Sequence, residues 1–574
     1  MSAIVDLPPA LWLVLTAAVL SVVKGRAGGV IAVAAPLVAL GLLLWPGAER
    51  SLALEVGGLD LVLYQTGPVN LLFGIIFLLI SSIGALYAFH VQDRGQRTMA
   101  MFYAAGALGV TLAGDFFTLL VFWEVMAVAS SWLVFARKEA ASLRAGFRYL
   151  MVHLAGGSVL MAGILLHYHA TGSLALTRFT PGDGPAAWLI LIGVCLNAAL
   201  PPLHAWLPDA YPKATVTGAV FMSALTTKSA VYVLMILFPG WQLLVYMGVL
   251  MTLYGVVYAV LANDIRQILA YHIISQVGYM VTGVGIGTEL SLDGTAAHAY
   301  SHILYKALLF MGAGAVIQAT GASRLSELGG LSRKMKPVLW LFMIGAFSIS
   351  GFPLFNGFIS KSMVVSAAGE AHYPVVMLGL FLASVGTFLS IGLKIPFFAF
   401  GGKEARLEVA RLPGNMYLAM GTVAGLCLLY GIAPGLLYAI LPYKSSYHPY
   451  TAYHLVESIQ LLTFTFIGFW ILRGKLAGKR YIALDTDWFY RRGAPLADRL
   501  MVGPVFGLFE AAARMRTPLA NRVAEAFANP YRWFRMNRGP ADTFSPDMER
   551  PSFSTSVLWL VLVFVGLAAF AFIR

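Results

Sequence analysis

Apolar residues recur along this chain in runs close to 20 residues long, separated by short polar stretches. That is the length of a membrane-crossing helix, well beyond a buried strand. Such runs lie at 8–23, 28–46, 68–89, 98–113, 115–136, 146–168, 186–206 and 215–237, then at 242–261, 270–287, 296–317, 337–368, 375–400, 415–438, 451–472 and 556–573. The pattern predicts an all-α polytopic membrane protein with about 16 TM helices. Two stretches depart from it. Residues 51–64 alternate apolar and polar positions around Gly57–Gly58, which predicts a small external β-hairpin. Residues 474–550 are polar and basic, and within them 496–527 places Leu500, Val502, Val505, Leu508 and Phe509 at helical spacing beside several arginines. This predicts a lateral amphipathic helix on the membrane surface, with the last run as a C-terminal TM anchor.

The loops order these spans. Lys24 and Arg26, Arg94 and Arg97, and Arg137, Lys138, Arg144 and Arg148 follow alternate runs, as do Arg266, then Arg324, Arg333, Lys334 and Lys336, then Lys403, Arg406 and Arg411. The opposite loops carry Glu49, Glu55, Asp60, Asp183, Glu289, Asp293 and Glu370. Basic loops stay on the cytoplasmic side, so both termini are expected outside. The first run has no basic residues before it and no small-residue cleavage site after it, and reads as a retained span.

Composition narrows the function. Hydrophobic residues make up 59% and charged residues 11%, against roughly 25% charged in an ordinary soluble domain. The 39 Lys and Arg against 26 Asp and Glu give +13, an excess that fits membrane loops and not nucleic-acid binding. Cys195 and Cys427 are too few for an iron–sulfur cluster, and no CxxCH string exists. No cofactor, metal site or catalytic residue is therefore expected in this chain. GKLAGKR at 474–480 has the wrong spacing for a nucleotide-binding P-loop, which argues against ATP-driven transport.

Ionisable groups inside apolar helices cost several kcal/mol and mark ion paths. Glu124 stands in LLVFWEVMAVASSWL, Lys228 in SALTTKSAVYVLM, Lys306 in AYSHILYKALLFM, Lys361 in FNGFISKSMVV and Lys394 in SIGLKIPFF. For each, a structural ion pair or a lysine reaching for the interface is the ordinary alternative, most of all for Lys394 near a span end. His298, His302 and Lys306 recur every fourth residue and so share one helix face. Imidazole titrates near neutral pH and can relay a proton through both nitrogens. His272, beside a basic loop, is a further candidate, whereas the lone His153 reads as a satisfied polar residue.

Two spans carry helix breakers. One holds Pro201 and Pro202 in AALPPLHAWLPDAYP, with Asn197 just ahead; the other holds Gly351, Pro353 and Gly357 in SISGFPLFNGFISK. Unwound backbone survives at membrane depth only where it is buried or lines a cavity, and matched breaks in two halves suggest inverted repeats. Two inverted five-helix repeats, each with a broken helix, fit at 98–237 and 242–400. The expected remainder is 1–97 as N-terminal spans with the hairpin, 415–472 as additional spans, 474–550 as the lateral segment and 556–573 as the anchor.

The strings FWEVM around Glu124, PLHAWLPDAYP at 202–212, LAYHIISQVGYM at 269–280, HAYSHILYKALLF at 298–310 and GFPLFNGFISK at 351–361 together carry a resemblance. They resemble the antiporter-like subunits shared by Mrp-type cation/proton antiporters (their D-like subunits), respiratory complex I (NADH-quinone oxidoreductase) and membrane-bound hydrogenases. HIISQ at 272–276 and LDTDWFYRR at 484–492 look more like the Mrp and hydrogenase branch, while the long tail resembles the distal complex I subunit and its hydrogenase counterpart. The resemblance implies two proton half-channels joined by a polar axis, with Glu124 in the first. Lys228 would be the connecting lysine, Lys306 with His302 the central relay and Lys361 the lysine at the second broken helix. The family's usual lysine before the first break is replaced by Asn197, which does not titrate.

The expected function is a proton-translocating, antiporter-like subunit of a multisubunit complex. Its expected partners are other membrane subunits, the lipid bilayer, protons and, if it exchanges a cation, Na+. Two further readings stay open: a proton-pumping subunit of a redox complex, in which case it belongs to an enzyme whose chemistry lies in other chains, and the membrane partner of a soluble protein in gradient-driven uptake of inorganic carbon or another solute. The resemblance implies the inner (plasma) membrane of a bacterium or archaeon.

Overall fold

Capping side chains mark where the chain turns into its long helices. The computed structural model describes residues 7–45, 51–402, 404–477 and 485–497, with isolated positions between 499 and 521. Within it Asp93, Asp115, Asp264, Thr288 and Thr451 each accept a hydrogen bond from a backbone N–H in the first turn of the following helix. These donors have no partner inside the helix, so a cap is needed where the chain leaves water.

The order begins α1 (Pro9–Val22), α2 (Gly25–Leu43), β1 (Ser51–Val56), β2 (Leu59–Gln65), α3 (Pro68–Tyr87), α4 (Arg94–Leu112), α5 (Phe116–Phe135), α6 (Ala140–Thr171) and α7 (Gly184–Asn197). It continues with α8 (Trp206–Ala210), α9 (Gly218–Ala224), α10 (Thr226–Leu237), α11 (Gln242–Leu261), α12 (Ile265–Ile286), α13 (Glu289–Thr320), α14 (Lys336–Ser350), α15 (Asn356–Glu370) and α16 (Pro374–Thr387). Then follow two π-helical segments (Phe388–Lys394 and Pro396–Phe400), α17 (Gly414–Ile432), α18 (Gly435–Tyr438), α19 (Ala452–Leu472) and α20 (Asp487–Ala497). The hairpin forms where expected: β1 pairs antiparallel with β2, and Gly57 and Gly58 turn it at φ +60° and +78°, a conformation glycine adopts without strain.

Eleven described helical stretches, with 218–237 and 374–400 each taken as one, are long and apolar enough to cross a membrane, and α1, α7 and α14 are shorter apolar helices. The chain is a multi-pass membrane protein. Helices α12 and α13 lie at its centre, while α19 is mostly outward-facing, with Phe464 70% and Ile471 76% exposed. Such a wide apolar rim is covered by lipid.

Three expected spans are divided. The 186–206 span stops at Asn197, because Pro201 and Pro202 supply no N–H to continue the helix. The 215–237 span is interrupted at Leu225 (φ −98°, ψ −71°), with no proline or glycine to announce it. The 337–368 span splits at Gly351, which closes α14 at φ +77°. Asp293, expected in an external loop, is instead buried in α13, where it accepts bonds from the backbone of Tyr443 and Ser445. A second unit runs from Trp488. The lateral helix expected over 496–527 and the anchor over 556–573 fall almost entirely outside the described residues.

Candidate functional site

Four lysines are buried in the helical core, and each points its ammonium at backbone carbonyls. Lys228 Nζ donates to Ser223 O at 2.5 Å, beside the interruption at Leu225. Lys306 Nζ donates to Leu269 O on α12 at 2.8 Å. Lys361 Nζ donates to Ile349 O at 2.8 Å and to Ser384 Oγ at 3.2 Å, and sits 5.2 Å from the Tyr279 ring centroid. Lys394 Nζ donates to Val260 O at 2.6 Å and Ala262 O at 2.9 Å. The Ser223, Ile349, Val260 and Ala262 acceptors sit where helices break or end, and such carbonyls lack an intrahelical partner. Among the described residues, none of the four lysines forms an ion pair.

The histidines lie between these lysines. His298 Nδ1 pairs with Ser360 Oγ at 3.1 Å, one residue before Lys361. His302 is fully buried and neither of its nitrogens has a protein partner among the described residues. Lys228, Lys306, His298 and Lys361 all lie within electrostatic reach of His302. On the neighbouring helix, His272 Nε2 pairs with Ser390 Oγ at 2.5 Å, in the π-helical turn that carries Lys394. Tyr305 OH donates to Gln276 Oε1 and Gln276 Nε2 donates to Thr387 Oγ1, each at 3.4 Å. Lys228, His302, Lys306, His298 and Lys361 thus form one buried polar cluster, flanked by His272 and Lys394. Buried nitrogens without protein partners are hydrogen-bonded by water, and water lets protons hop between fixed groups.

Glu124 stands apart from this cluster. It is half-buried on α5, faces Gly157 of α6, and its Oε2 has no hydrogen-bond partner among the described residues. Asn197 ends α7 fully buried, and neither of its side-chain polar atoms has a hydrogen-bond partner among the described residues. Trp206 Nε1 bridges the break by donating to Leu196 O at 3.0 Å. A Cβ on Gly157 would lie 1.7 Å from Glu124 Oε1. Gly157→Ala is therefore expected to push the carboxylate aside while the fold survives, because the clash is with the end of a flexible side chain. A proton-flux assay on assembled protein, checked by native gel, should show loss of flux at wild-type assembly.

Lys394 has a structural task. It closes the C-terminal end of α11, and charge-assisted bonds of this kind contribute roughly 1.5–3 kcal/mol each. Lys394→Met is expected to lower the melting temperature by several degrees and to speed hydrogen exchange over residues 258–264, which mass spectrometry would read directly.

Two buried groups were not singled out by sequence reasoning. His204, in the first break, is fully buried, and its Nε2 lies 3.0 Å from Asp485 Oδ1. Both stand inside strings quoted above, PLHAWLPDAYP and LDTDWFYRR, but 281 residues separate them. His153 is half satisfied: Nδ1 bonds Tyr149 O at 2.9 Å, Nε2 has no partner among the described residues, and its ring lies 4.5 Å from that of Trp206. At the other end, Lys361 lines a cleft with Ser350, Tyr279, Ser384, Glu457 and Ser458. This cleft connects the lysine to the edge of α19.

Known proteins share parts of this sequence and the fold. The sequence profile of the family described as NADH:quinone oxidoreductase/Mrp antiporter, TM matches residues 113–390, which hold every lysine and histidine of the cluster and the flanking His272, but not Lys394. The D subunit of a Na(+)/H(+) antiporter from Alkalihalophilus pseudofirmus is 31% identical over 353 residues, covering 58% of this chain and 71% of that one. The N subunit of an NADH-quinone oxidoreductase from Desulforudis audaxviator is 34% identical over 324 residues, covering 52% and 64%. One chain of the membrane-bound sulfane sulfur reductase, an archaeal respiratory membrane complex, shares the fold with a TM-score of 0.71, covering 98% of this chain and 100% of that one at 23% identity.

Proposed function

The chain belongs to the NADH:quinone oxidoreductase/Mrp antiporter transmembrane family, and from that premise we propose that it translocates protons as one membrane subunit of a multisubunit complex. Protons are taken up near Glu124, pass Lys228, His302 and Lys306, and leave through Lys361 and the cleft beside Glu457. The observation that carries this reading is the set of buried lysines held on neutral carbonyls, with no ion pair among the described residues. A fixed countercharge would lock each ammonium. Without one, charge arriving on a neighbour decides whether the lysine keeps its proton.

Exchange for Na+ is the favoured coupling, since the A. pseudofirmus relative is named as part of a Na(+)/H(+) antiporter. The basic loops then face the cytoplasm, and both termini lie outside an inner (plasma) membrane. A second reading, a pumping subunit of a redox complex, is supported by the likeness to an NADH-quinone oxidoreductase subunit. The test is a mild-detergent pull-down from native membranes with mass spectrometry of the companions. Small hydrophobic antiporter subunits alone support sodium–proton exchange. Iron–sulfur, flavin or nickel proteins replace it with the redox reading, and one large soluble partner replaces both with solute uptake.

A further inference from the structure

The segment after α19 returns a carboxylate to the interior. Asp485 Oδ1 accepts from Tyr254 OH at 2.6 Å and from His204 Nε2 at 3.0 Å, and Oδ2 accepts from Tyr271 OH at 2.6 Å. The Thr486 N–H closes the set on Oδ1 at 2.6 Å. The Asp485 side chain is 6% exposed and that of His204 is 0%. Tyr254 and Tyr271 lie seven residues before the end of α11 and six past the start of α12. At 1.5 Å per residue the carboxylate therefore sits roughly 10 Å inside the helix ends, on the side of the basic loop that carries Arg266.

A buried carboxylate costs heavily unless it is fully bonded. Here donors from α11, α12 and the first break satisfy both oxygens, which leaves little room for a metal cation. Burial alone would push the Asp485 carboxyl up, but the bonds from His204, Tyr254 and Tyr271 outweigh it and hold the group well below the usual carboxylate range. It stays ionised at any physiological pH. The stability it contributes is complete above the ordinary carboxylate value of about 4 and fades only as the pH falls below that.

An anion that never takes the proton acts through its partner. Asp485 accepts from Nε2, so the His204 proton sits there and Nδ1 is a lone pair. Nδ1 is buried and has no hydrogen-bond partner among the described residues. Nearby, Tyr258 stacks on Tyr254 with ring centroids 4.5 Å apart, and the charge of Asp487 acts on Tyr271.

We propose that Asp485 is a positioning residue that fixes the tautomer and orientation of His204, making the histidine a proton-transfer group at the basic-loop mouth of the first half. A proton arriving on Nδ1 forms an imidazolium that the carboxylate stabilises, and the same Nδ1 proton is passed on, so Nε2–H never leaves Asp485. This supplies the first half with a titratable group where Asn197 has none. The inference rests on the proton-carrying reading above.

The test uses the full chain, purified with its native companions and reconstituted into liposomes containing pyranine, with proton flux driven by a potassium diffusion potential. Asp485→Asn is expected to lower flux at least tenfold and to move its half-maximal pH downward, because the imidazolium loses its anion; Asp485→Glu should restore most of both. Wild-type flux and pH profile in Asp485→Asn would overturn the proposal. So would a lowered flux with an unmoved profile, which marks a purely structural tie. If Asp485→Asn does not assemble, His204→Gln decides: it must lose flux, and wild-type flux overturns the proposal. Lys306→Ala in the same liposomes separates the two claims. If it is inactive while Asp485→Asn is normal, only this inference fails; if it too is normal, the proton-carrying reading fails and takes the inference with it.

Discussion

Replacing Lys306 with alanine should abolish coupled proton movement, with flux falling by about 100-fold or more, the scale on which a positioned proton-transfer group contributes. Lys306 is fully buried on α13, one turn beyond His302 and two beyond His298, and its only described hydrogen bond is to Leu269 O. Lys228 on the first half lies within its electrostatic reach. Truncation therefore removes the second-half lysine that lies within electrostatic reach of Lys228, and water alone does not replace a fixed site that holds charge. Folding should survive, because the Leu269 carbonyl lies within α12 and keeps its place in the helical ladder. Lys306→Arg should fail almost as completely: a guanidinium remains protonated at any relevant pH and has no released state to offer. Flux in reconstituted liposomes, normalised to assembled complex on a native gel, checks both variants.

Gly357→Ala should have the largest effect on the fold itself. A Cβ at Gly357 would lie 1.7 Å from Ser348 O and 2.6 Å from Ser348 C. The clash is with main chain, so no side chain can turn away from it. Gly357 opens α15 against the last turn of α14, where Ile349 O receives Lys361. Separating the two segments costs about 3 kcal/mol or more by the scale of overpacked cores, and it pulls the lysine off its carbonyl. The apparent melting temperature should fall by about 3 °C, with flux lost as well. Gly414→Ala is the control, since nothing lies within 4 Å of its added Cβ. A Gly357→Ala protein melting with the wild type would contradict the packing described here.

Periodicity made much of this legible. The i, i+4, i+8 spacing places His298, His302 and Lys306 on one face, and the structure buries all three. Pro201, Pro202 and Gly351 announce their breaks because each alters what the backbone can do. The interruption at Leu225 has no such marker: local residues permit a helix there, and packing departs from it beside Lys228. The acceptors of the lysines were equally hidden, since a carbonyl carries no sequence signal. Lys394 illustrates this, its partners Val260 and Ala262 lying on another helix. The His204–Asp485 pair spans 281 residues, and only the tertiary fold brings the two strings together.

The most direct measurement of the central claim is proton flux in pyranine-loaded liposomes carrying the assembled complex, compared among wild type, Lys306→Ala and Lys361→Ala. The buried-lysine path predicts flux in the wild type and none above empty liposomes in either variant, at equal assembly. Undiminished flux in both variants would contradict it.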